Sequence, residues 1–486
     1  MSIKQKVVNS VFWSAAQGFG NQILSLIIFS VLARLLTPQD FGLVAIANVF
    51  LAILQIFLEQ GFAQALIQKD ELTQKHLDTA FWTTVGMGVL ITFLGITTAP
   101  LFAEFFRQPQ LTPVIQWLSL LCLILSLSQV QQALLERKFA FKAIATRFLF
   151  GTIIGGFVGV VMALKGYGVW SLVTQQIIQA TVATIFLWKV SDWRPKWYFS
   201  KQCFQDLFNF GIHILGFKIV SFFNDKANDF LIGYFLGAVA LGYYSLASRI
   251  FSIITQIVVK TSQDIALPTF SRLQHEPEKM RQAFYQATQF TSLVAFPTFL
   301  GIALLAPELI FVSFGQQWLA AIPLIQILSL MGILRSVTYF TSSVFVAMGK
   351  PSWWFRLGLL KMVLNLSGFL IAYPFGIIAV TWAYVIRLYI AFPVGQWAIS
   401  KLLNISWSQY LRQFIPAFVG SIIMITVIFA FKSLLLVWSL SPLLILILCS
   451  LVAFISYAVA IYLIAPKMIK QIIALFRLAT SRPKET

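Results

Sequence analysis

Fourteen apolar stretches, each about twenty residues or longer and each closed by proline, glycine or a cluster of charge, divide the 486-residue chain. They fall at 9–36, 41–67, 79–106, 113–136, 142–164, 167–189, 208–236, 241–268, 283–310, 322–348, 353–374, 376–400, 413–435 and 442–465. About twenty mostly apolar residues are needed for a helix to cross the hydrocarbon core of a bilayer. Inside that core every backbone amide and carbonyl must be bonded within the protein, so each stretch is expected to be helical. Charged residues make up only 10% of the chain, against roughly 25% in soluble domains. The composition excludes a water-soluble enzyme, and the expected fold class is an all-α polytopic membrane protein with about 14 transmembrane helices. The first stretch, preceded by Lys4 and Lys6, outruns the roughly 7 to 15 apolar residues of a signal peptide and reads as a span.

An even number of spans puts both termini on one side, and the distribution of cations says which. Of 35 Lys and Arg residues, 23 lie in the termini and the loops on their side, whereas the opposite loops hold Arg107, Lys165 and Lys432. The positive-inside rule then places both termini in the cytoplasm. The opposite loops are short, leaving no room for a catalytic domain, and no enzymatic activity is expected. Cys122, Cys203 and Cys449 are far apart, and His76, His213 and His275 lack metal-ligand spacing, so neither metal nor cofactor is expected. In the segment 190–207, Trp193, Trp197 and Tyr198 alternate with Arg194, Lys196 and Lys201, and the tail from Lys467 to Arg477 is basic and amphipathic. Both suit lipid headgroups better than nucleic acid.

Thr37-Pro38-Gln39-Asp40 carries a hydroxyl at N-cap, proline at N1 and a carboxylate at N3, the signature of a tight helical corner. A shift of 200 residues sets Gly42 on Gly242, Ala47 on Ala247 and Ile53 on Ile253. Six spans separate the two copies, which gives parallel repeats, an architecture of transporters. The expected organisation is a six-helix bundle over 1–190, an interfacial linker over 191–207, a second six-helix bundle over 208–401, two further helices over 402–465 and a basic tail over 466–486. In the fifth span Gly151, Gly155 and Gly159 have the spacing of close helix packing.

Nine cations remain within the spans: Arg34, Arg147, Lys218, Lys226, Arg249, Lys260, Arg335, Lys361 and Arg387. The deepest carboxylates are Glu59, Asp225, Asp229 and Asp264. At about 2.5–3.5 kcal/mol each, these thirteen groups facing lipid would oppose insertion by roughly 30–45 kcal/mol, so they must face one another or water. Lys218, Asp225 and Asp229 share one face of the seventh span with Lys226 beside it, either as an internal charge network or as a site for a coupling ion. Lys260 and Asp264 read as an i, i+4 pair, and Arg34 and Lys361 as residues that can snorkel. Arg249, Arg335 and Arg387 have no acid within one turn. Arginine is always charged and bonds phosphate in a bidentate manner, so an anionic passenger is expected to meet these three, together with Lys218, Lys226 and Arg147.

Several stretches carry a family resemblance. They are Leu32-Ala33-Arg34-Leu35-Leu36-Thr37-Pro38-Gln39-Asp40-Phe41-Gly42, Glu59 to Gln68, His76 to Trp82, Gly166 to Val173, Tyr244 to Arg249 and Leu267 to Leu273. Over about residues 5 to 400 the chain resembles the Wzx-type polysaccharide flippases of the multidrug/oligosaccharidyl-lipid/polysaccharide exporter superfamily, in the branch similar to colanic acid and teichuronic acid exporters. The resemblance implies a substrate, an oligosaccharide repeat unit on polyprenyl diphosphate, moved across the inner membrane for capsule, exopolysaccharide or lipopolysaccharide synthesis. It implies alternating access of two bundles around a cationic cavity, with membrane lipids, a polysaccharide polymerase and export machinery as partners; an H+ or Na+ coupling ion at Asp225 and Asp229 is one of the two readings of that face given above. Two rivals remain. A multidrug cation antiporter of the same fold would want an acidic cavity, and a membrane-embedded polymerase or ligase would want a large outer loop.

Overall fold

The computed structural model describes residues 20–466 and 468, except 60, 70, 258–260 and 439. The side chains of 59, 209–221, 223–225, 261–265, 268 and 351 are outside the description too. Lys4, Lys6, Lys260 and the tail from Lys467 to Arg477, apart from Met468, therefore lie outside the described residues, as do the side chains of Lys218, Asp225 and Asp264. Within these bounds the chain is helical, with no strand among the described residues.

Helix α1 covers Gly20–Leu35. It is followed by α2 (Pro38–Glu59), α3 (Phe62–Gln68), α4 (Gln74–Phe105), α5 (Leu111–Ser126), α6 (Gln129–Arg137), α7 (Phe141–Leu164), α8 (Val169–Val190) and the long α9 (Lys201–Thr255). Then come α10 (Thr261–Arg272), α11 (Pro277–Ser313), α12 (Ile322–Thr338), α13 (Thr341–Ala347), α14 (Pro351–Ala372), α15 (Gly376–Leu403), α16 (Trp407–Arg412), α17 (Ile415–Val437) and α18 (Pro442–Ile464). Among the described residues ten helices are long and apolar enough to cross a membrane, and α5 with α6, bent by 43°, makes an eleventh. This count takes α9 and 352–403 as one each, although both are broken where the sequence divides its apolar runs, α9 at Gly237, whose backbone is not helical, and 352–403 at the turn Tyr373–Phe375. The protein is a multi-pass membrane protein. By internal contacts it divides into two compact units, Met1–Ser245 and Leu246–Thr486.

In the first unit the corner between α1 and α2 is a reciprocal capping box. Thr37 Oγ1 donates to Asp40 Oδ2 at 2.7 Å, the Thr37 amide donates to the same carboxylate at 2.9 Å, and the Asp40 amide donates back to Thr37 Oγ1 at 3.3 Å. Its counterpart 200 residues on reverses at Gly237, whose φ of 82° only glycine adopts without strain. The two corners touch. A Cβ on Gly42 would lie 1.7 Å from the Ala238 carbonyl oxygen, and one on Gly242 would lie 1.9 Å from that of Pro38. Gly151 and Gly155 likewise admit α8, since a Cβ on either would come within 2.8 Å of the Gln179 or Gln175 carbonyl oxygen respectively. The bend between α5 and α6 frees carbonyls that α8 satisfies: Thr184 Oγ1 donates to Ile124 O at 3.2 Å and Trp188 Nε1 to Leu127 O at 2.9 Å.

The linker after α8 is clasped by the start of α4. Buried Asp78 accepts from the Lys196 amide at 3.0 Å, Trp82 Nε1 donates to the Lys196 carbonyl at 2.8 Å, and the Ser200 amide donates to Thr79 Oγ1 at 3.1 Å. Trp197 stacks on Trp82 at 3.9 Å between centroids and Trp193 donates to Gln74 Oε1 at 3.1 Å. In the second unit, α17 is pinned to α11 by Lys432 Nζ, 2.8 Å from Glu308 Oε1. Lys432, counted above among loop cations, is thus a helix residue: the unbroken apolar run carries α17 to Val437, and pairing with Glu308 makes its charge tolerable there.

Replacing Asp78 by Ala would remove the acceptor of the Lys196 amide in a part-buried bond, a cost of about 1 kcal/mol. We expect Asp78→Ala to accelerate proteolytic cleavage within 192–200, read by limited proteolysis of membranes, while Asp78→Asn, which keeps an acceptor oxygen, stays near the wild-type rate.

Candidate functional site

A cluster of cations sits in the second unit, and the helices that carry it share one register. Counted from the turn at Tyr373–Phe375, Lys361 lies twelve residues before it on α14 and Arg387 twelve residues after it on α15. Arg335 lies thirteen residues past the start of α12 at Ile322, and Arg249 twelve past the break at Gly237. At 1.5 Å per residue each stands about 18–20 Å along its helix from the end opposite the basic loops. Equal depth makes a layer of positive charge inside hydrophobic helices.

Two of the four, Lys361 and Arg387, are joined by a direct contact, and Arg335 lies near them. Arg387 Nη1 donates to the Lys361 carbonyl at 3.3 Å and Nε to the Tyr384 carbonyl at 3.3 Å, with the guanidinium 4.1 Å from the Tyr384 ring centre. Lys361 Nζ stands 4.9 Å from the Trp354 ring centre, close enough to Arg387 and Arg335 for both to repel its charge. Arg335 lies over Phe251 of α9 at 5.8 Å. Arg249 is two residues before that ring, about 200° round the helix from it. Among the described residues no carboxylate pairs with Arg335, Lys361 or Arg387. Aromatic faces and carbonyl dipoles soften the charges without cancelling them, so the cluster is built to meet an anion or water.

The remaining candidates are placed elsewhere. Arg147, 5% exposed, belongs to the first unit, where Nη2 donates to Gln132 Oε1 at 2.9 Å and Gln132 Nε2 donates in turn to Glu136 at 2.7 Å. Lys226 Nζ pairs with Asp229 Oδ2 at 3.0 Å along one face of α9. The side chains of Lys218 and Asp225 lie outside the described residues. Lys361, read from sequence as a snorkelling residue, is mid-helix on α14 and central to the cluster. Its equal offset with Arg387 from one shared turn was the available signal. An apolar groove of about 460 Å³ in the same unit, between α11, α12, α15 and α17, has Gln326 as its polar member and no charge, so it is no anion site.

The family model described as "Polysaccharide biosynthesis protein" matches residues 31–323. The chain belongs to that family. It is 26% identical over 422 residues to the teichuronic acid biosynthesis protein TuaB of Bacillus subtilis, covering 86% of this chain and 87% of that one. It is 29% identical to the succinoglycan biosynthesis transport protein ExoT of Rhizobium meliloti, with 69% and 68% covered, and 24% identical to the lipopolysaccharide biosynthesis protein WzxC of Escherichia coli, with 85% and 84% covered. Among solved structures, the lipid II flippase MurJ in an inward closed conformation superposes with a TM-score of 0.76 at 15% identity, over 95% of this chain and 99% of that one. An inward-facing multidrug resistance transporter of the MATE family gives 0.55 at 17% identity, over 81% and 96%. The fold of this member of the polysaccharide biosynthesis family is therefore MurJ- and MATE-like.

Mutual repulsion in the cluster generates a prediction. Removing one charge, as in Arg387→Gln, should raise the thermal unfolding midpoint of the purified protein. A lowered midpoint would mean that the arginine is held by partners rather than strained by like charge.

Proposed function

We propose that this protein is a flippase that carries an oligosaccharide repeat unit, linked to polyprenyl diphosphate, from the cytoplasmic to the outer leaflet of the inner membrane. The observation that carries this reading is the group Arg335, Lys361 and Arg387, gathered at one depth with no carboxylate partner among the described residues. A diphosphate supplies the missing negative charge, and guanidinium groups bind it in bidentate fashion. Arg249, at the same depth on α9, extends the layer. In this reading the glycan head travels in water while the prenyl tail stays in lipid.

In this reading both termini are cytoplasmic, which the distribution of basic loops supports. Family membership and relatives named for teichuronic acid, succinoglycan transport and lipopolysaccharide synthesis support a role in making a surface polysaccharide. Alternating access of two six-helix bundles is the transport mode, with Asp225 and Asp229 as the place for an H+ or Na+ that drives return. The protein performs no covalent chemistry on the glycan; polymerase and export machinery act after it. A multidrug cation antiporter on the same fold is the rival, and three clustered cations are the wrong sign for its cargo.

Arg335→Ala, Arg387→Ala and Arg249→Ala should each cut delivery of glycan to the outer leaflet at least about tenfold, with protein abundance in the membrane unchanged; normal export by all three would refute the anion site. For Asp229→Asn we expect transport that no longer responds to an imposed ion gradient. An unaltered response would assign the Lys226–Asp229 pair to holding α9 together.

A further inference from the structure

We infer that the first unit holds a second binding site, for uncharged sugar hydroxyls, built from the carboxamides of Asn21, Gln175 and Gln179 around the Thr152 hydroxyl. On the cargo proposed above, this site meets the part that a cationic cluster cannot hold. Helices α1, α7 and α8 are joined by a chain of hydrogen bonds: Gln179 Nε2 donates to Thr152 Oγ1 at 3.2 Å, and Thr152 Oγ1 donates to Asn21 Oδ1 at 3.2 Å. Thr152 is buried, whereas Asn21, Gln175 and Gln179 are half-buried. The same face of α8 continues, one turn at a time, through Gln175 to Ser171. Gln175 makes no hydrogen bond among the described residues, and the Ser171 hydroxyl is buried without a partner among them. The stems of Gln175 and Gln179 lie on the backbone of α7, where a Cβ on Gly159 or Gly155 respectively would stand 3.0 Å from theirs. Counted along its own helix from the end opposite the basic loops, Asn21 stands fourteen residues in, Thr152 twelve and Gln179 ten. That is about 15–21 Å, the middle of a roughly 30 Å hydrocarbon core.

An amide without a partner in hydrocarbon costs about 4–8 kcal/mol, so open carboxamides at this depth meet water or a polar ligand. The hydrogen-bond chain narrows what that ligand is. A hydroxyl between two carboxamides gives one bond and takes one, so whichever way the chain runs it leaves an acceptor open at one end and a donor at the other. Here these are Gln179 Oε1 and Asn21 Nδ2. Gln175 adds one more of each a turn away. A phosphate only accepts and would set its oxygens against that of Gln179, and a cation would meet the amide hydrogens of Asn21. Alcohol groups both give and take, and a sugar ring carries several of them in fixed relation. No Lys, Arg, Asp or Glu stands within four residues of Asn21, Thr152, Gln175 or Gln179 in the chain, so the sugars met here are uncharged. The two units then divide the work, the second holding the charged link and the first reading the glycan.

The test measures how the full chain in lipid nanodiscs retains two lipids: bare polyprenyl diphosphate, and polyprenyl diphosphate bearing the oligosaccharide made by the cells the protein comes from. Gln175→Leu breaks no hydrogen bond within the described protein, whereas Gln179→Leu and Thr152→Val cut the chain at its end and at its centre. Each should weaken retention of the glycan-bearing lipid about tenfold, as the loss of one or two hydrogen bonds does, and leave retention of the bare lipid unchanged. Gln175→Leu, which should fold like the wild type, carries the test if either of the others fails to assemble. Wild-type retention of the glycan-bearing lipid by the variants would overturn the inference, assigning the amides to water alone, and would leave the proposed function standing. Equal loss of both lipids, the mark of a packing role, would overturn it too. A wild-type chain that retains neither lipid would refute the proposed function, and the sugar site with it.

Discussion

A charge carried into hydrocarbon must be answered by another charge, by a dipole or by water, and this protein applies that rule in two opposite ways. Lys432 with Glu308, Lys226 with Asp229, and Arg147 with Gln132 are answered locally, and each answer joins helices or stiffens one. Arg335, Lys361 and Arg387 are instead crowded together and leaned on rings and carbonyls. Such an arrangement leaves like charges with no carboxylate partner among the described residues, at a cost in stability.

The stretches by which the chain resembles its family prove to be largely architectural. Thr37-Pro38-Gln39-Asp40 is a helix cap, and Asp78, Thr79 and Trp82 of the His76 to Trp82 stretch are the clasp that holds the linker after α8. Arg249 is the exception, a cavity candidate inside a matched stretch. The residues that gather into the cationic cluster lie outside those stretches, on helices of plain apolar composition.

Local features were legible in the sequence because their physics is local. The capping box needs four consecutive residues, and Gly151, Gly155 and Gly159 show their packing face by spacing alone. The breaks at Gly237 and at Tyr373–Phe375 fall where the apolar runs divide, because a glycine at positive φ and a proline-bearing turn are local features too. Lys361 was misread because depth was judged from the nearer end of its span rather than from the turn it shares with Arg387. Partners such as Asp78 with Lys196, or Glu308 with Lys432, are more than a hundred residues apart and have no signature in a single chain.

The meeting of Gly42 with Ala238 and of Gly242 with Pro38 also bears on ancestry. In a symmetric dimer of a half-length chain, one glycine and one carbonyl would make both contacts, and a single substitution would strike the interface twice. Fusing two copies into one chain separates those duties, so that each corner can drift in sequence while remaining fitted to the other. The first now turns on a capped proline and the second on a bare glycine. What they share is the absence of a side chain at the point where each meets the other.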